Sequence, residues 1–246
     1  MTAQPTPDHR RDEIAAGLET VHGRIADACA TAGRSADEVT LTVVTKFFPT
    51  SDVRHLFDLG VRDVGENRHQ EAEAKAAECA DLDLRWHFIG NLQSNKAAAV
   101  ARYADVVESV DRPKLLPGLA RGAQERGAVV DCLVQVNLDP EGAAATGGAA
   151  TGRGGARPAD VVPLAERLAA TDGLRLRGVM AVAPLDSDPA PAFATLAEIA
   201  AEVRGVDPSA TWVSAGMSGD LEAAIESGAT HVRIGSAVLG RRPSIK

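Results

Sequence analysis

Apolar positions along the chain change their period repeatedly. Ile14, Leu18, Val21, Ile25 and Cys29 recur three or four residues apart, which predicts an amphipathic helix over about 12–32, stopped by Gly33. The polar residues before it, 1–10 with Pro5 and Pro7, are expected to be disordered. The pattern then turns into a β-branched run, Leu41-Thr42-Val43-Val44-Thr45-Lys46, the composition of a buried strand over 40–46. Phe47-Phe48-Pro49 ends it. Further strands are predicted at 61–65, 84–89, 105–110, 128–137, 174–182, 211–214 and 231–235. Between them, helical patterns start at Ser51, capped by that serine and ended by Gly60, and then cover about 68–80, 94–101, 112–126, 158–170, 191–203 and 218–227. Pro117 predicts a kink or a late start in the helix over 112–126. The tail, 236–246, is expected to add a last short turn of helix.

Eight strand-like segments in strict alternation with helices, preceded by one extra helix, predict a single α/β domain over 11–246, a (β/α)8 TIM-type barrel. A doubly wound open sheet is the competing arrangement. No GxGxxG opens the first strand-to-helix turn, so a Rossmann dinucleotide site has no support. Residues 139–157 depart from the alternation: they form a low-complexity Gly/Ala/Thr stretch that reads as a flexible surface insertion.

Composition narrows the class. The 246 residues are 45% apolar and only 3% aromatic, so the core is expected to be Val, Leu, Ile and Ala. A net charge of -8 argues against a nucleic-acid partner, while leaving room for a local basic pocket. The three cysteines, Cys29, Cys79 and Cys132, are widely spaced and make neither a disulfide framework nor a zinc motif; packing is their expected role. No signal-like h-region is present, and no apolar run approaches the roughly 18 residues of a membrane span. A cytoplasmic protein without membrane contact is the expectation.

A barrel of this kind works at the carboxyl ends of its strands. There the sequence puts Lys46, Glu66, Asn67, Asn91, Asp111, Gln135, Asn137, Met180, Ser214 and Gly216 to Ser218, then Arg233, Gly235 and Ser236. A lysine closing a buried strand either snorkels to water or presents a partly desolvated amine able to form a Schiff base with a carbonyl. Ser214-Ala215-Gly216-Met217-Ser218 with Gly235-Ser236 puts small residues and hydroxyls at the ends of strands seven and eight, the usual phosphate site of such barrels. Ser218 could instead be only the cap of the next helix, and Asp220 and Glu222 would oppose an anion placed on that helix end. The phosphate is therefore expected nearer Ser214, Gly235 and Ser236. Arg233, inside the apolar run Val232-Arg233-Ile234, needs a partner: a structural acceptor or a pyridine nitrogen. Lysine, phosphate site and buried cation on one face together suggest pyridoxal 5′-phosphate (PLP).

The chain resembles the pyridoxal-phosphate homeostasis protein family, single-domain relatives of the alanine racemase N-terminal barrel. Thr45-Lys46, Gly65-Glu66-Asn67, the block from Trp86 to Lys96, Arg177-Gly178-Val179-Met180, Gly216 to Ile225 and Val232 to Ser236 carry the likeness, from strand one to strand eight. The resemblance implies PLP held as a Schiff base on Lys46, with Asn67 near the ring. It further implies Ser214, Ser218, Gly235 and Ser236 on the phosphate, Met217 lining the pocket and Arg233 facing the ring nitrogen. It also implies a role in PLP supply and homeostasis, with PLP-dependent apo-enzymes as possible recipients and no assigned reaction. Phe47-Phe48-Pro49 stands where the family carries small polar residues, which could reshape the pocket mouth.

A PLP-dependent amino-acid racemase is the alternative, and an ordinary barrel enzyme without PLP a further one. Racemisation needs a second base beside Lys46. Related racemases take a tyrosine from an additional β domain, which this chain is expected to lack. Its single tyrosine, Tyr103, precedes strand four and belongs to the opposite face. An arginine at the ring nitrogen would also leave that nitrogen unprotonated and weaken the ring as an electron sink. Binding without a catalytic residue is therefore expected, and a monomer. The six histidines are scattered, so no metal site is expected; His87 is read as a hydrogen-bonded core residue and Trp86 as packing.

Overall fold

The computed structural model describes residues 7–139, 154–184 and 187–241. Eight parallel strands close into a barrel in sequence order: β1 (Thr40–Val44), β2 (Asp63–Glu66), β3 (Arg85–Phe88), β4 (Val106–Val110), β5 (Val130–Val136), β6 (Leu174–Ala181), β7 (Trp212–Ser214) and β8 (His231–Ile234). The open-sheet alternative is excluded by the pairing of β8 with β1, where Leu41 lies beside Val232 and Val43 beside Ile234. Side chains alternate across each strand. Val43, Val64, Trp86, Val107, Val134, Val179, Val213 and Val232 are buried with helix residues in the two large core clusters. Val106, Leu133 and Met180, with Trp212 packed on them, form a separate small apolar cluster.

The helices are α1 (Pro7–Thr31), α2 (Thr50–Asp58), α3 (His69–Glu78), α4 (Ala97–Ala101), α5 (Leu116–Arg126), α6 (Pro158–Ala169), α7 (Ala190–Val206), α8 (Leu221–Glu226) and α9 (Ser236–Leu239). Pro117 produces a late start: a 3-10 turn over Pro113–Leu115 precedes α5, so the missing N–H falls where no intrahelical bond is due. No helix among the described residues is long and apolar enough to cross a membrane.

Four expectations about the fold change. Helix α2 starts at Thr50 with Pro49 at its cap position, so Ser51 does not cap it. Helix α1 begins at Pro7, so residues 7–10 are helical rather than disordered; the Arg10 guanidinium grips the buried Asp52 carboxylate (Nη2 to Oδ2, 2.6 Å) and the Leu239 carbonyl (2.9 Å), which pins this end to α2 and α9. Residues 1–6 lie outside the described residues. The segment 154–157 belongs to the fold rather than to the insertion. Ala156 bridges to Val136, its N–H donates to the Gln135 carbonyl at 2.7 Å, and Pro158 opens α6. The rest of the insertion, 140–153, is outside the described residues, as is most of the tail, 242–246. Finally, α8 starts at Leu221 with Asp220 at its cap, so Ser218 does not cap it.

Helix α1 buries Ile14, Leu18, Val21, Ile25 and Cys29 on the side that meets α2, α8 and α9, the stripe its sequence period predicts. Each such aliphatic side chain contributes about 1.5–3 kcal/mol by leaving water. Helices α1 and α9 meet at Gly17, where an added methyl carbon would lie 2.4 Å from the Val238 carbonyl oxygen. On an open helix face Gly→Ala stabilises by about 1 kcal/mol. Gly23 has such a face, with no atom within 4 Å of an added methyl. At Gly17 the clash is with backbone, and overpacking of about 1–3 kcal/mol should outweigh propensity. Urea unfolding should therefore show Gly17→Ala destabilised and Gly23→Ala stabilised, opposite signs on one helix.

Candidate functional site

At the carboxyl ends of the strands lies a cavity of about 370 Å³. Seven of the eight residues expected to hold the cofactor line it: Lys46, Asn67, Met217, Ser218, Arg233, Gly235 and Ser236. Register explains why. Val43 pairs with Ile234, so the chain leaving β1 toward Lys46 runs beside Gly235 and Ser236. Lys46 forms one side of the cavity, and Ser218, Gly219, Gly235 and Ser236 supply a cluster of hydroxyls and bare backbone. At Gly219 an added methyl would meet no protein atom within 4 Å, so the backbone faces open space. Ser236 begins α9, and N–H groups at a helix start have no intrahelical acceptor.

The acids that would oppose an anion here are engaged. Asp220 Oδ1 accepts the Met217 N–H at 2.6 Å. Glu222 forms a two-pronged pair with Arg24 of α1 (2.7 and 2.9 Å), and the same guanidinium donates to the Ser218 carbonyl. Each therefore spends its charge on a local partner.

Ser214 is a correction. It is fully buried and does not line the cavity. Its hydroxyl donates to Glu108 Oε2 at 2.6 Å and accepts from Arg233 Nη1 at 2.5 Å. Facing the barrel axis beside a buried acid and a buried base, it serves as the hinge between them. Arg233 also donates through Nη2 to the Ala181 carbonyl (2.7 Å), and Nη1 lies 3.6 Å from Glu108 Oε2. The guanidinium thus has structural acceptors and still reaches the cavity wall.

Below Arg233 the network continues. His87 Nδ1 bonds Glu108 Oε1 at 2.7 Å and Nε2 bonds Asp63 Oδ1 at 2.9 Å. Burial alone would strip the His87 proton, but the two carboxylates outweigh it and raise its pKa from 6.5 to about 9. Burial likewise disfavours the Glu108 charge, yet His87 above all, then Arg233 and Ser214, hold its pKa down to about 2. At nearby His231 burial outweighs the pull of Glu108 and Asp63 and lowers its pKa to about 4. The expectation of a hydrogen-bonded core histidine therefore holds for His87, and Trp86 packs in the apolar core as expected. Glu108 was not singled out from the sequence. The signal existed: an acid inside Val106-Val107-Glu108-Ser109-Val110 demands a partner as much as an arginine inside β8 does.

Val44, Phe48, Ile89, Met180 and Val182 give the cavity an apolar wall, with Gln135 among them. Phe48 shows that the unusual Phe47-Phe48-Pro49 run does enter the site. Among the described lining residues there is no His, Tyr, Cys, Asp or Glu. Tyr103 instead stacks on His69, ring centroids 5.9 Å apart, and lines a different groove beside α3. No group of His, Cys, Asp and Glu able to hold a metal ion occurs among the described residues. All three cysteines are free and buried.

The family profile described as alanine racemase, N-terminal domain, matches residues 25–243. The pyridoxal phosphate homeostasis protein of Mycobacterium tuberculosis is 40% identical over 255 aligned positions, covering 96% of this chain and 95% of its own. The chain belongs to the pyridoxal phosphate homeostasis protein family. The family member of Escherichia coli K12 is 35% identical and covers 94% of the chain. Among solved structures, PipY of Synechococcus elongatus with PLP bound superposes with a TM-score of 0.74 at 35% identity, over 88% of this chain and 100% of PipY. The resemblance read from the motifs is thus borne out, together with the barrel.

The buried histidines set a pH profile. His87, raised to about 9, contributes stability that is complete below 6.5 and lost as pH rises through 9. His231, lowered to about 4, contributes stability that is complete above 6.5 and lost as pH falls toward 4. Thermal midpoints scanned from pH 4 to 9 should peak near 6.5. His87→Gln should flatten the alkaline limb and leave the acid limb in place.

Proposed function

We propose that this chain binds PLP through a Schiff base on Lys46 and serves intracellular PLP supply without a dedicated reaction. The observation that carries the reading is the convergence of a strand-end amine, a buried guanidinium and a hydroxyl-and-backbone cluster on one cavity. The donor set fits the cofactor's three chemical handles. Condensation of the Lys46 amine with the PLP aldehyde, with loss of water, supplies a reversible covalent link. Ser218, Gly219, Gly235 and Ser236 receive the phosphate through their hydroxyls and bare backbone. Arg233 faces the ring nitrogen and Asn67 flanks the ring. Met217 and the apolar wall of Val44, Ile89 and Met180 cover its faces and exclude water. Ser214 and Glu108 act from behind, by orienting Arg233.

A guanidinium donates hydrogen bonds and does not accept a proton, so Arg233 holds the ring nitrogen unprotonated. That arrangement favours holding PLP over stabilising carbanions on it. Racemisation needs acid–base groups on both faces of the substrate carbon, and the described lining offers Lys46 alone. Release to PLP-dependent apo-enzymes follows from the reversibility of the Lys46 link. The PLP-bound PipY relative supports this reading, since it shares the fold and 35% of its residues.

Adding PLP to the purified protein should produce a band near about 420 nm that borohydride bleaches, fixing the label on Lys46. Lys46→Ala should abolish the band. Loaded protein should reactivate a PLP-dependent apo-enzyme and should not racemise alanine. A protein that remains colourless in excess PLP would sink the reading; racemase turnover would replace the carrier role by the enzymatic one.

A further inference from the structure

Phe47, directly after Lys46, has a left-handed backbone with φ +72°, the one non-glycine residue with positive φ among the described residues. A bulky L side chain is strained there and persists only where its surroundings enforce the conformation. Those surroundings are a buried charge cluster. The Phe47 N–H donates to Glu71 Oε1 at 2.6 Å. Lys75 Nζ donates to the same oxygen at 2.7 Å, to Glu66 Oε1 at 2.7 Å and to the Thr45 carbonyl at 2.8 Å. The Thr45 hydroxyl completes the set by donating to Glu66 Oε1 at 2.7 Å. Lys75 is 5% exposed and Glu66 1%.

Stability alone is a poor explanation for this cluster. A buried ion pair seldom outperforms apolar packing, and Glu66 is left with a second oxygen, Oε2, that has no partner. The geometry has a different logic. Its bonds land on residues 45 and 47, on either side of Lys46, whose side chain lines the cavity. Glu66 is also the residue before Asn67, on the same cavity wall. We infer that Lys75, Glu66 and Glu71 form a clamp that grips both peptide neighbours of Lys46 and aims its amine at the reacting carbonyl. These are positioning residues: Lys75 and Glu71 touch the backbone on either side of Lys46, and Glu66 holds the Thr45 hydroxyl and the Lys75 ammonium. The inference rests on Lys46 being the residue that condenses with PLP. Condensation needs the amine held along one approach line, whereas non-covalent docking of ring and phosphate does not.

That difference supplies the test. Growth of the absorption band after rapid mixing with PLP is compared among wild type, Glu71→Ala, Glu71→Gln and Lys75→Met. Affinity for pyridoxine 5′-phosphate, which keeps ring and phosphate but has no aldehyde, is measured in parallel. Condensation should slow by about 10-fold or more in Glu71→Ala and Lys75→Met, with pyridoxine 5′-phosphate affinity within about twofold of wild type. Glu71→Gln should stay near the wild-type rate, because its amide oxygen can accept both contacts. Wild-type condensation in Glu71→Ala, or a parallel loss of pyridoxine 5′-phosphate affinity, would overturn the clamp. Should Lys75→Met fail to fold, Glu71→Ala decides alone, at a side chain 22% exposed. No band in wild type would defeat the Lys46 reading itself, and the clamp with it; a wild-type band with an unchanged Glu71→Ala rate defeats the clamp only.

Discussion

Glu108 is the carboxylate on which the barrel interior depends. From β4 it bonds His87 on β3 and Ser214 on β7, and faces Arg233 on β8. Through His87 the network reaches Asp63 on β2, and through Arg233 it reaches Ala181 on β6. The interior of such a barrel is ordinarily filled by branched apolar side chains. Here two acids and two bases take that place, and each is tolerable only because the others are present. Removing one member of a buried set typically costs about 3–5 kcal/mol, since the remaining charge is stranded in low dielectric. The four charges cancel, and six of the eight strands become coupled through their side chains as well as their backbones.

This network divides the barrel. Its lower part is solid, with Val106, Leu133 and Trp212 beside the charges, and Met180 of the same cluster reaches up to the cavity wall. Its upper part is open, and Arg233 forms the boundary, anchored from beneath and exposed to the cavity above. A long flexible cation would otherwise adopt many rotamers; three acceptors below leave it few. The cavity therefore meets a fixed positive group on its floor, an amine on one wall and a hydroxyl-rich corner on another.

The chemistry of that cavity is defined as much by what is excluded from its wall as by what lines it. Histidines, carboxylates and the single tyrosine are all committed elsewhere: His87 and His231 inside the barrel, Glu66 and Glu71 on Lys75, and Tyr103 on His69. Proton transfer needs a group free to change its charge. A site whose titratable neighbours are engaged in ion pairs, burial or stacking is suited to holding a molecule, in keeping with the homeostasis family to which the chain belongs.

The sequence by itself determined the eight-fold alternation, the helical stripe of α1, the strand-end lysine and the Gly235-Ser236 turn. All of these follow from local rules: side-chain periods of 2 and 3.6, turn residues, and the habit of barrels of working at strand ends. It also carried the family, because the motifs run from strand one to strand eight. Residues 7–10 and 154–157 look unstructured in isolation and are ordered by a long-range partner, Asp52 for the first and Val136 for the second. Only the tertiary structure decided that Ser214 turns to a carboxylate 106 positions away, that His87 sits between two acids, and that Lys75 and Glu71 grip the peptides around Lys46. The physical reason is register. Which inward side chains meet across a closed sheet depends on the stagger of eight strands, and nothing in one strand's sequence contains it. The lysine was legible because its strand announces it; what aims the lysine was not.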